Sequence, residues 1–187
     1  MNRSGSGCQV TASHVFVVLA LTIATHSANA QSIERQSGRS SAQSPAVAVA
    51  AGLIHWDLSG TGSSPYVALR GDAPLGTKWV LGEIGVGYFS TDEQFGQRRS
   101  YVVPEAQVHF QWPMRIASPY VGVGGGWFRG SGGGESRAEV TTSVAAGLRL
   151  ALAAFPLGMR AELRVRGIGT DYSGSAAEWT AGASWRF

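Results

Sequence analysis

The chain has 187 residues, 44% hydrophobic and only 14% charged, with 26 glycines. That length suits one domain with enough chain to bury a core, and so little charge excludes a disordered polyelectrolyte. The net charge of +3 comes from scattered arginines, Lys78 being the sole lysine, and no basic block points to nucleic acid. Cys8 is the only cysteine, which excludes an internal disulfide or a Cys-ligated zinc.

Residues 1–30 have the three-part layout of a secretory signal peptide. Arg3 lies in a polar start, Val15 to Ala24 is an apolar run, and Ala28-Asn29-Ala30 is a small-x-small cleavage site. The run is too short for a membrane-spanning helix, which needs about 20 residues. Cys8 precedes it, whereas a lipoprotein cysteine follows. Export with cleavage after Ala30 is the expectation. Residues 31–45 are polar and aperiodic, and read as a flexible periplasmic leader.

From residue 46 to 187, apolar and polar residues alternate in segments broken by Gly, Ser, Asp and Pro. No segment keeps a helical stripe for three turns. The pattern predicts strands over 46–58, 65–71, 77–90, 99–112, 119–129, 137–152, 158–169 and 177–187. Connections one, three, five and seven are polar and contain Gly; two, four and six each contain a proline. An all-β, eight-stranded antiparallel up-and-down barrel is the simplest closed form of such a meander.

Alternation alone leaves open which face meets water. A soluble barrel buries the apolar face; a transmembrane β-barrel turns it to lipid and keeps the polar face in the lumen. Three features favour the membrane. Trp56, Tyr88, Trp112, Trp179 and Phe187 lie near strand ends, as interfacial girdles do. Most strands are long enough for a tilted crossing. The polar face balances Arg against Glu, with little of the Lys that guards soluble sheet edges.

In that inverted register the inward acids are Asp57, Glu83, Glu105, Glu139, Glu162 and Glu178. The inward bases are Arg70, Arg149, Arg160, Arg164, Arg166 and Arg186. An eight-stranded lumen is filled by side chains, so these ions are expected to pair. The phase is less regular in three strands. Val49, Leu53, Trp79 and Leu81 would point inward unless a bulge rephases strands one and three, and Gly124-Gly-Gly126 leaves strand five undecided.

The last strand carries the sharpest motif. Thr180-Ala-Gly182-Ala-Ser-Trp185-Arg-Phe187 fits polar-x-Gly-x-x-aromatic-x-aromatic with a terminal Phe. It is similar to the assembly signal of bacterial outer-membrane barrels. With Pro119 to Trp127 and the strand count, residues 46–187 resemble the OmpA/OmpX-type eight-stranded family. The resemblance implies a bacterial outer-membrane location, outer-membrane lipid as surroundings, and the barrel assembly machinery as the partner reading Thr180, Gly182, Trp185 and Phe187. The expected state is a monomer. Adhesive members of the family have long outer loops; the polar connections here are short.

Little of the remaining sequence points to chemistry. His55-Trp-Asp57 puts an imidazole and a carboxylate on one strand face, as a metal pair or a base with its orienter would be, or as plain lumen groups. Three or more ligands are usual for a metal, so no metal or cofactor is expected. Gly122-Val-Gly124-Gly-Gly-Trp127 fails the dinucleotide fingerprint at its last position. No His-x-Ser falls on the face assigned to lipid, and His109 is assigned inward, so no catalytic residues are expected. The reading is an envelope protein with a structural or surface-contact role. The alternatives are a channel for small or hydrophobic solutes, and a lipid A-modifying enzyme.

Overall fold

The computed structural model describes residues 44–58, 60–92, 98–132, 135–152, 155–171 and 173–187. The expected signal peptide, its cleavage site and nearly all of the leader lie outside them. Eight strands follow one another: β1 (Ala46–Asp57), β2 (Thr61–Pro74), β3 (Val80–Asp92), β4 (Arg98–Gln111), β5 (Ala117–Gly132), β6 (Glu135–Ala151), β7 (Leu157–Ile168) and β8 (Gly174–Arg186). Each pairs antiparallel with the next, and β8 returns to β1, so the sheet closes into a barrel. Closure leaves no open strand edge.

Three short turns join strands at the end that carries both described termini. In the first, Gly76 takes φ +76° and the Leu75 amide donates to the Val80 carbonyl at 2.9 Å. Left-handed backbone there suits glycine alone. In the turn between β6 and β7, the Arg186 guanidinium donates to the carbonyls of Leu152, Phe155 and Leu157 at 3.3, 2.9 and 3.1 Å.

Two layers fill the interior. Nearest the opposite end, called the outer end below, Ile54, Tyr66, Ala68, Phe89, Val103, Phe128, Ile168 and Ala176 form an apolar layer, with Trp56, Leu58 and Tyr101 packed on it. Phe89 stacks on Tyr101 with centroids 4.8 Å apart. Below it, toward the termini, charged side chains from β2, β3, β4, β7 and β8 meet. Glycines make room for the larger inward groups. A Cβ at Gly87 would overlap the Tyr66 hydroxyl, one at Gly122 the His109 ring, and one at Gly147 the Tyr120 ring.

The closing seam needs glycine on both sides. A Cβ at Gly52 of β1 would collide with the Trp179 carbonyl oxygen, and one at Gly182 of β8 with that of Val49. Gly182→Val is therefore expected to cost roughly 1–3 kcal/mol, the usual penalty of overpacking. Gly60→Ala, with nothing within 4 Å of the added carbon, is expected to be neutral. Urea midpoints of the two variants folded into lipid vesicles check this.

Strand one corrects the sequence reading. His55 and Asp57 face outward and are exposed, as are Val49 and Leu53 at 64% and 51%. Inside stand Ala48, Ala50, Ile54 and Trp56. No bulge is involved, since β1 pairs residue by residue with β2 from Ala46 to Asp57. Apolar side chains occupy both faces of β1, so the neighbours set its phase. Ala48 lies opposite Arg70, whose length needs a small partner inside. Trp56 thus belongs to the inner layer and not to the girdle. Leu81 does point inward at 3% exposure, whereas Trp79 sits in the turn before β3 and is exposed.

Candidate functional site

The outer wall is a belt of exposed apolar side chains. Val67, Leu69, Phe110, Val121, Val123, Val144, Met159 and Val165 are 45–61% exposed, around the whole circumference. A soluble monomer seldom exposes an apolar patch beyond a few hundred Å², and this belt is continuous. Tyr88, Trp127 and Trp179 edge it toward the outer end, and Trp112, Trp185 and Phe187 toward the termini, each 45–57% exposed. Lipid is the medium such a surface fits.

The inside is the reverse. Arg164, with no exposed surface, contacts Glu83, Glu105, Glu162 and Glu178. Glu162 joins Arg70 at 2.5 Å, Arg164 at 2.6 Å, and also Arg160. Glu178 joins Arg70 at 2.7 Å and Arg166 at 2.9 Å, and Arg166 also holds Glu105. Asp72 meets Arg149 at 3.4 Å and Arg160 at 3.8 Å, and Arg160 also holds Glu83. Charges taken from water need such mutual pairing, because an unpaired one is destabilising by several kcal/mol. Acids and bases balance one for one in this network.

A chain of hydrogen bonds leads off it from Arg149. Arg149 donates to His109 Nδ1 at 2.8 Å, which makes that nitrogen an acceptor and places the ring proton on Nε2. His109 Nε2 then donates to Gln107 Oε1 at 2.7 Å, and Gln107 Nε2 to Ser143 Oγ at 2.7 Å. Tyr120 stacks on His109 at 4.8 Å and donates to Glu162.

Glu83, His109 and Glu162 bring potential metal-ligand atoms within 4.8 Å of one another. They do not fit a cation. Arg160 and Arg164 already occupy both carboxylates, and both histidine nitrogens have partners. A divalent ion there would sit against guanidiniums.

At the outer end the barrel opens into a cup of about 1150 Å³. Trp56, Tyr101 and Phe128 are part of its lining, with Arg98, Arg99, Arg137 and Glu139 on the walls. Arg137 pairs with Glu139 at 2.5 Å. In the connection from β7 to β8, hydrogen bonds from Ser173 hold the exposed Asp171 carboxyl below its usual range.

No family model and no curated protein sequence matches the chain. Solved structures do. Neisserial surface protein A superposes with a TM-score of 0.65 at 14% identity, covering 76% of this chain and 97% of that one. The chain has the fold of the eight-stranded outer-membrane barrels. Ail of Yersinia pestis, solved with the heparin analogue sucrose octasulfate, gives 0.56 at 14% identity over 76% and 97%. A major outer membrane protein from Thermus thermophilus gives 0.50 at 13% identity over 77% and 100%.

Within this outer-membrane-type barrel, Glu105, Glu162, Glu178, Arg149, Arg160, Arg164 and Arg166 come together as described, with Glu83, Arg70 and Asp72. Glu139 stands apart in the outer cup. Arg186 turns to the carbonyls of the β6–β7 turn. Asp57 is outside the lumen. Of the C-terminal motif, Trp185 and Phe187 face outward, while Thr180 is buried and Gly182 lies on the seam. Asp72 was missed because Asp72-Ala-Pro-Leu-Gly76 reads as a turn, yet β2 runs to Pro74. The period-two spacing from Arg70 was the available signal.

Proposed function

We propose that the protein is a monomeric integral protein of a bacterial outer membrane, with a structural or surface-contact role. The observation that carries this reading is the inversion of the barrel, an apolar belt outside and a paired ionic network inside. Trp185 and Phe187 supply the exposed aromatic C-terminus that the assembly machinery reads, after export and removal of residues 1–30. The open cup at the outer end is the place for surface contact.

Two measurements test this. Outer-membrane fractions run unboiled and boiled on a denaturing gel are expected to give a heat-dependent shift in migration. Recovery from the soluble periplasm without a shift would overturn the proposal. In planar bilayers the protein is expected to show no discrete conductance. The cup and the small cleft at the other end are separated by the apolar layer and by ionic side chains that are 0–8% exposed, apart from Arg149 and Asp72 on the cleft side. Steps that change on Glu105→Ala or Arg164→Ala would favour the channel reading instead.

A further inference from the structure

We propose that Ser63 and His55 form a nucleophile–base pair on the outer wall of the barrel, acting on acyl esters of the surrounding lipid. This rests on the outer-membrane reading, because the substrate is the membrane itself. The two residues lie directly opposite each other on β1 and β2, both outward and exposed, with Ser63 Oγ 2.5 Å from His55 Nδ1. A hydroxyl within hydrogen-bond reach of an imidazole is the core of serine-type acyl transfer. No His-x-Ser motif announces the pair, since its members come from neighbouring strands.

Depth in the membrane argues for the substrate. Two residues nearer the membrane on the same face of β1 is Leu53, paired with Trp179 of β8, which is 57% exposed. Tryptophan marks the boundary between hydrocarbon and headgroups. At about 3.4 Å per residue, His55 and Ser63 stand roughly 5–7 Å beyond that boundary, allowing for strand tilt. This is the interfacial zone, where acyl chains are joined to their headgroups by esters. On the β8 side His55 has only Ala177 opposite, so no bulky side chain shields it there. Asp57, the next outward residue on β1, is the acid available to orient the ring. His109, by contrast, has no exposed surface and cannot meet lipid.

The chemistry balances with water as the only co-reactant. Ser63 Oγ attacks the ester carbonyl carbon while its proton passes to His55 Nδ1. The tetrahedral intermediate collapses, the C–O bond to the lipid alcohol breaks, and that oxygen takes the proton from His55. Water then attacks the acyl-Ser63 ester and gives a proton to His55. Ser63 leaves with that proton, and a free fatty acid departs.

The full chain is folded into phosphatidylethanolamine vesicles and, in parallel, into vesicles containing lipopolysaccharide. Insertion is scored in each sample by the heat-dependent gel shift, and released fatty acid by mass spectrometry. The expected result is release that falls roughly 10²–10⁴-fold in both Ser63→Ala and His55→Ala, with the gel shift retained. A fluorophosphonate probe is expected to label the parent protein and not Ser63→Ala. Asp57→Asn is expected to slow release and Asp57→Glu to restore part of it, with the gel shift retained in both. Release from one vesicle type alone identifies the lipid. Inserted protein that releases no more fatty acid than empty vesicles of both kinds, or release surviving Ser63→Ala, overturns the proposal. Absence of the gel shift overturns the membrane reading and this inference with it.

Discussion

Glu162→Ala is expected to lower the unfolding free energy by about 3–5 kcal/mol, the range for breaking a buried ion pair from one side. Its carboxylate, with no exposed surface, is shared by Arg70, Arg160 and Arg164 and accepts from Tyr120. Truncation leaves those guanidiniums facing one another across a void. Glu162→Gln keeps the shape and one acceptor oxygen, so its loss should be smaller. The double variant Glu162→Ala/Arg70→Ala removes one charge of each sign and is expected to be less destabilised than the two single losses combined, as contacting residues are. Urea titration of tryptophan fluorescence in vesicles measures all four. A Glu162→Ala loss below about 0.5 kcal/mol, the range of featureless surface sites, would mean that water reaches and screens the lumen charges.

That network was largely legible in the sequence, for a physical reason. On β7, Arg160, Glu162, Arg164 and Arg166 alternate with Met159, Ala161, Leu163 and Val165, so one register choice decides every side chain at once. Strand β8 is almost as regular. Strand β1 was not legible, because Val47, Val49 and Leu53 on one face and Ile54 and Trp56 on the other give both faces an apolar claim. Its phase is set by the seam with β8, where Gly52 and Gly182 permit close approach, and by Ala48 opposite Arg70. Reversing that phase moved His55 from lumen to lipid side and brought it to Ser63. Cross-strand pairs of this kind depend on register, which spacing along one strand does not encode. The role of Arg186 was hidden similarly, since its partners are backbone carbonyls and carry no side-chain signature.

Val144→Arg separates the two orientations of the alternating pattern more sharply than any change inside the lumen. Val144 is 61% exposed and stands between Val123 of β5 and Val165 of β7, well inside the belt edged by Trp127 on the outer side. At the bilayer midplane an arginine costs roughly 2–4 kcal/mol, and near the interface about 0–1 kcal/mol. Ser175→Arg is the matching control. Ser175 pairs with Asp57 at the outer end of β8 and is exposed beyond the Trp179 level. The expected outcome is a depth gradient, with Val144→Arg strongly destabilised in vesicles and Ser175→Arg nearly neutral. Water around the same surface would erase that gradient, since both positions are exposed and neither would then leave a charge unsolvated. Equal, near-zero losses at the two sites would therefore assign the apolar face to something other than lipid, even with the barrel intact. A gradient would tie the belt to hydrocarbon and put the His55–Ser63 level at the headgroups, which is the depth the ester chemistry requires.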